Sequence, residues 1–162
     1  MKIALTGTPG TGKTSVAEEM DHEVLDLTRF VKERGIGHEE EEFIVDVDRM
    51  VEELESELGD GEKVVEGHLS HHFPADYCVV LRCEPEELRE RLKERGYSNT
   101  KIEENVQSEI LDVVLSEAVE IQENIIEVDT TGREPGEVAE EVEKRIEEGD
   151  SGYGDVDWTD RI

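Results

Sequence analysis

Nine consecutive residues, Gly7-Thr-Pro-Gly-Thr-Gly-Lys-Thr-Ser15, hold the densest chemistry in the chain. Gly7, Gly12, Lys13 and Thr14 satisfy the spacing G-x-x-x-x-G-K-[ST], and each residue type has a physical reason to be there. Glycines let successive backbone N–H groups curl around an anion, and the helix that follows offers its positive N-terminal end. The lysine ammonium reaches the β- and γ-phosphates of a nucleoside triphosphate, and the threonine hydroxyl can ligate magnesium. The pattern predicts a polyphosphate cradle built from Gly7, Pro9, Gly10, Thr11, Gly12, Lys13, Thr14 and Ser15.

Two further groups stand out. In Val64-Val-Glu-Gly-His-Leu-Ser-His-His-Phe73 an apolar run passes straight into Glu66 and His68, two apart on an extended strand, so both side chains emerge on one side. His71 and His72 have no cysteine nearby and read as exposed loop histidines rather than metal ligands. Between Arg82 and Lys101, six basic residues fall within twenty positions of a chain with only 17 Lys and Arg. Arg91 and Arg95, one helical turn apart, share a face, which is unfavourable for like charges unless an anion lies opposite.

The elements that must position these groups follow from periodicity. Apolar runs at residues 2–7, 23–27, 63–68, 77–83 and 125–131 read as five strands, separated by helical patterns. One helix carries Ile44, Val47, Met50, Leu54 and Leu58; another runs through Ile102, Val106, Ile110, Val114, Ala118 and Ile121. A third, residues 85–95, opens on proline and closes on Gly96, and the last carries Val138, Val142 and Ile146. Such alternation predicts a doubly wound, five-stranded parallel α/β sheet, spanning residues 1–147. Residues 148–162 lack apolar periodicity and read as a mobile acidic tail, with Trp158 the one residue able to dock on the body.

Taken together the motifs resemble a family. The loop has the G-x-P-G-x-G-K form of the nucleoside monophosphate kinases, and Asp26-Leu-Thr-Arg29 resembles the adenylate kinase segment whose arginine holds the AMP phosphate. Arg91-Leu-Lys-Glu-Arg-Gly-Tyr97 followed by Glu104-Asn-Val-Gln-Ser-Glu-Ile110 is similar to the adenylate kinase isoenzyme 6 family, small atypical kinase/ATPases implicated in small ribosomal subunit assembly. The resemblance covers residues 1 to about 146 and implies an archaeal, halophile-like member that uses ATP and Mg2+, with AMP as acceptor. It implies an acceptor-binding insert near residues 28–60 and a short lid near 95–105, too small to be an independent domain.

By that likeness, Thr14 and Glu66 organise magnesium, Lys13 and Arg95 stabilise the transferring phosphoryl group with Arg91 beside them, Arg29 orients AMP, and His68 orients water or substrate. Glu66 departs from the family's aspartate by one methylene. The family's wider role implies a basic small-subunit ribosomal protein and the pre-ribosome as partners. An alternative reading is an ATP-switched assembly factor with incidental kinase activity, and a third is another small-molecule kinase, for shikimate or a nucleoside.

Composition sets the limits. There are 45 acidic side chains and a formal net charge of -28 in 162 residues, with 35% hydrophobic residues. Regular apolar periodicity argues against a disordered chain, leaving a folded protein with a carboxylate-saturated surface, suited to a salt-rich cytosol. Such a surface disfavours extensive RNA contact and favours basic protein partners. No apolar run approaches a membrane span or a secretion signal, and Cys78 and Cys83 point to opposite faces of one strand; the expectation is a cytoplasmic, disulfide-free protein.

Overall fold

Strand segments such as Ile3-Ala-Leu5 and Val79-Val-Leu81 are apolar at every position because parallel strands are covered on both faces. The computed structural model describes residues 1–39 and 43–161, with the side chains of all of these except residues 38, 39, 43 and 44. Its strands are β1 (Lys2–Gly7), β2 (Glu23–Asp26), β3 (Gly37–Glu39), β4 (Phe43–Val45), β5 (Lys63–Glu66), β6 (Tyr77–Arg82) and β7 (Ile125–Asp129). Five form a parallel sheet in the order β2-β5-β1-β6-β7, and β3 and β4 form a separate antiparallel pair. The helices are α1 (Lys13–Glu19), α2 (Leu27–Arg34), α3 (Val47–Leu58), α4 (Pro85–Glu94), α5 (Asn99–Ile110), α6 (Val113–Ile121) and α7 (Pro135–Glu148).

Alternation along the strands divides the core. Ile3, Leu5, Val79 and Leu81 pack under α1 and α7, whereas Ala4, Cys78 and Val80 pack on the other face against Leu115 and Ala118 of α6. On that second face Val65 meets α2 and α3. Helices on both faces make the sheet doubly wound, as the periodicity predicts. β1 lies at its centre, so the loop leaving β1 emerges between β5 and β6, which deliver Glu66 and Arg82 to the same edge.

Several boundaries differ from expectation. Helix α3 starts at Val47, where the Asp46 side chain accepts from the Arg49 N–H at 3.2 Å; Ile44, whose spacing matches the helical pattern, belongs to β4. The acidic run at residues 38–43 falls largely outside the described residues. The helix read through residues 102–121 breaks at Leu111–Asp112, where Asp112 has φ 56°. A buried arginine explains the break: Arg82 Nη2 donates to the Glu109 carbonyl at 2.9 Å, taking an acceptor that an unbroken helix would pair within itself, and holds the Asp112 side chain through Oδ1 at 2.5 Å.

The tail lies against the body. Rather than hanging free, it runs beside β7, with the Gly152 N–H donating to the Ile125 carbonyl at 2.6 Å and the Glu127 N–H to the Gly152 carbonyl at 3.1 Å. The Gly154 N–H then donates to Glu127 Oε1 at 2.8 Å, and Trp158 packs against the cluster of Cys83, Leu88, Leu92, Ile102 and Val106. Residues 150–161 form a strap closed by an ion pair between Arg161 and Glu84 at 3.1 Å.

Arg82 is 1% exposed and pairs with Glu109 at 2.9 Å and Glu127 at 2.8 Å as well as with Asp112. Arg82→Met would strand two buried carboxylates without their cation, so we expect urea unfolding followed by circular dichroism to show a loss of about 3–5 kcal/mol. A loss under about 1 kcal/mol would mean the pairing contributes little.

Candidate active site

The loop between β1 and α1 needs glycine for steric reasons. A Cβ on Gly7 would lie 2.7 Å from the Leu81 carbonyl oxygen, and one on Gly10 would lie 2.8 Å from a methyl of Leu92. Both glycines have positive φ, 148° and 94°, so the loop hugs β6 and α4 in a conformation other residues rarely adopt. Lys13 Nζ donates to the carbonyls of Gly7 (3.1 Å) and Thr8 (3.2 Å). Burial, reinforced by Arg95 and opposed by Glu66 and Glu109, lowers the Lys13 pKa to about 8.

Beside the lysine, Thr14 Oγ1 donates to Glu66 Oε1 at 3.2 Å. Glu66 is buried at the end of β5; desolvation raises its pKa, with Lys13 opposing and Asp26, its register neighbour on β2, reinforcing the rise. His68 follows after one glycine; the residue is exposed at the rim of the cleft, and partial desolvation of the ring, with the nearby charges of Lys13, His71 and His72, lowers its pKa. Glu66, His68, Lys13, Thr14, Pro9 and Arg95 all border one chamber of about 200 Å3, which Thr28 and Tyr97 complete. Thus Glu66 and His68 do emerge on one side, toward the loop.

Two larger cavities flank this chamber. One of about 350 Å3 lies over Gly10, Thr11, Gly12 and Ser15 and is walled by Arg91, Arg95, Thr130 and Arg133. The other, about 360 Å3, is mainly apolar, bounded by Leu27, Val31, Val45, Val47 and Leu69, with Thr28, Gly67 and His68 at its junction with the chamber. Arg95 borders both the chamber and the first cavity.

Not every predicted residue reaches the cleft in the same way. Arg91 borders the first cavity, but its guanidinium is engaged by Glu87 (2.5 Å), the Thr130 carbonyl (3.1 Å) and hydroxyl (3.2 Å), and the Thr11 carbonyl (3.3 Å). Arg29 lies outside all three spaces, 76% exposed and paired with Glu33 at 2.8 Å. Lys101 borders a separate groove with His68 and Glu117. His71 is not an exposed loop residue: it is fully buried, its Nδ1 2.8 Å from Thr6 Oγ1 and its Nε2 3.1 Å from Glu117 Oε1. The turn at residues 70–72 tucks under α6, where Gln122 Nε2 donates to the His71 and Phe73 carbonyls. His71, His72 and Glu117 bring their nitrogen and oxygen atoms within 4.8 Å of one another, though both His71 nitrogens have protein partners.

Tyr97, Thr130 and Arg133 were not among the residues singled out by sequence. Thr130 Oγ1 lies 2.7 Å from the Arg82 carbonyl and 3.1 Å from that of Thr11, tying the end of β7 to the loop. The signal available was the polar Asp129-Thr-Thr-Gly-Arg133 run closing the last strand, which marks a loop at the carboxyl edge of the sheet.

Comparison with known proteins agrees with this geometry. A family model described as "AAA domain" matches residues 3–112. A protein named "Putative adenylate kinase" from Pyrococcus furiosus is 48% identical over 165 residues, covering 98% of this chain and 92% of its own. One of the same name from Natronomonas pharaonis is 42% identical over the whole of both chains. Among solved structures, shikimate kinase from Acinetobacter baumannii superposes with a TM-score of 0.65 at 17% identity, covering 91% of this chain and 93% of its own. Deoxyadenosine kinase from M. mycoides gives 0.58 at 13% identity, over 91% and 100%. With a nucleoside-kinase fold, a complete phosphate loop and full-length identity of this order, the chain belongs to the adenylate-kinase-like family and is a kinase-like phosphotransferase.

Proposed function

We propose that the chain transfers the γ-phosphate of Mg-ATP to AMP, giving two ADP, with slower transfer to water. The observation that carries this reading is the row of three neighbouring spaces that share lining residues: a donor cavity over the phosphate loop, a phosphate chamber at Lys13 and Arg95, and an apolar acceptor cavity beyond His68. Two nucleotides laid end to end would meet in the chamber, where positioning and charge neutralisation do most of the catalytic work. Lys13 and Arg95 face the transferring group, and the loop amides from Gly7 to Thr14 hold the donor phosphates. Arg91 fixes the loop to α4 and β7 more than it grips phosphate.

Thr14 and Glu66 present a hydroxyl and a carboxylate oxygen 3.2 Å apart, the hard donors magnesium takes, so they fit as its holders. When bound, the ion would neutralise and align the donor phosphate oxygens. Arg29 would leave an exposed pair with Glu33, weakly held in water, to meet the acceptor phosphate. Neutral His68 can accept a proton from, or donate one to, the acceptor or a water. With only Arg95–Ser98 linking α4 to α5, the cleft has a small cover and excludes water incompletely, which favours ATPase turnover.

The charge of -28 supports a second level of reading: a salt-rich cytoplasm, and a basic small-subunit ribosomal protein as partner in ribosome maturation, with ATP turnover switching its release.

Measured separately at molar salt, ADP should rise without free phosphate when ATP and AMP are both present, and phosphate should appear slowly with ATP alone. Phosphate release that ignores AMP would favour the switch reading. Glu66→Gln should reduce kcat by roughly 10- to 100-fold, as loss of a metal-orienting carboxylate does; an unchanged rate would remove Glu66 from the metal. Lys13 predicts a pH effect of definite sign. Above about pH 8 the free enzyme loses the ammonium that attracts phosphate, so kcat/KM for ATP should fall as pH rises through that value. The limb in kcat should lie higher, because bound phosphates hold the proton on. A profile of kcat/KM flat to pH 10 would contradict this.

A further inference from the structure

Glu109 borders none of the three spaces, yet its carboxylate touches the phosphate loop. Oε1 accepts from Thr8 Oγ1 at 2.8 Å; Oε2 accepts from Arg82 Nε at 2.9 Å, the Cys83 N–H at 3.0 Å and the Trp158 indole N–H at 3.2 Å. Thr8 is the hinge of the loop, since its carbonyl accepts from Lys13 Nζ at 3.2 Å and from Thr11 Oγ1 at 2.8 Å. Whatever places Thr8 therefore places Lys13.

The buried cluster sets one guanidinium against the carboxylates of Glu109, Glu127 and Asp112. Neutral donors must hold the remaining negative charge, because a buried carboxylate oxygen left without a hydrogen bond is unfavourable. Glu109 has the Thr8 hydroxyl and the Cys83 N–H, and the strap adds the Trp158 indole as a further donor to it and the Gly154 N–H for Glu127.

We infer that Glu109 is a positioning residue for the donor phosphates and that the C-terminal strap completes its donor set through Trp158, so that donor-nucleotide binding and the seating of Trp158 favour one another. Such coupling is reciprocal: whatever lifts the strap weakens nucleotide binding, and nucleotide holds the strap down. The inference rests on the phosphotransfer reading only for its kinetic arm.

Trp158 is the sole tryptophan, which makes the test direct. ADP titrated into the wild-type chain should change the tryptophan emission with the same midpoint as ADP binding followed by equilibrium dialysis. Trp158→Phe, which keeps a ring in the cluster but removes the donor, and Glu109→Gln, which keeps the shape but removes the charge, should each raise KM for ATP three- to ten-fold. KM for AMP should stay within about two-fold, a split between the two substrates that a general loss of stability would not produce. The double variant should be little worse than Glu109→Gln alone. The inference is overturned if dialysis shows ADP bound with silent emission, or if folded Trp158→Phe keeps the wild-type KM for ATP. Should Glu109→Gln fail to fold, those two measurements decide the matter. ATP bound normally but AMP refused as acceptor would sink the kinase reading and leave this one standing.

Discussion

The buried guanidinium of Arg82 is the constraint on which the phosphate-loop half of the molecule depends. It sits at the carboxyl end of β6, where burial of a cation is tolerable only with close carboxylates and full hydrogen bonding. Meeting that requirement fixes three things. α5 must end so that the Glu109 carbonyl faces the arginine, beside the left-handed Asp112. β7 must present Glu127 inward, and Glu127 in turn takes the backbone of the strap. Glu109, drawn in by the same charge, reaches Thr8 and so joins the cluster to the phosphate loop.

Charge tells the same story at the scale of the whole chain. With 45 acidic residues, surface cations find carboxylates readily: Arg34 pairs with Glu57, Arg49 with Glu53, Arg89 with Glu103. Arg95 makes no ion pair among the described residues, although it follows directly on α4, whose Arg89 and Arg91 are both paired. An unpaired guanidinium bordering both the donor cavity and the chamber, close enough to Lys13 to lower its pKa, is poised for an anion that neither neighbour can serve alone.

The sheet was legible because each of its strands carries a short apolar run, though β2 has only Val24 and Leu25 and β7 is interrupted by Glu127, and each βα turn shows its glycines or caps. The loop was legible because its chemistry allows few substitutes. The features that escaped share a physical cause: they are set by contacts distant in sequence. Nothing local to residues 102–121 foretells a break, because the agent is Arg82, some thirty positions earlier. Nothing in the polar strap foretells docking except Trp158, because its anchors are backbone N–H groups and one glutamate. His71 looked like a loop residue since its partners, Thr6 and Glu117, lie 65 and 46 positions away.

These contrasts imply an uneven molecule. On the donor side, loop, α5, β7 and strap converge on buried charge, and local opening there would expose several unpaired groups together. Across the sheet's other end, α2 and α3 rest on the cluster of Leu27, Met50, Leu54 and Val65, and the ion pairs between them are Arg34–Glu57 and Arg34–Glu53, with Arg49 donating to the Gly35 and Arg34 carbonyls. Exposed pairs give little resistance to separation, and less still in concentrated salt. On the proposed phosphotransfer reading, movement that admits an acceptor would therefore fall to α2 and α3, with the phosphate-loop side as the bed against which the transferring phosphate is aligned.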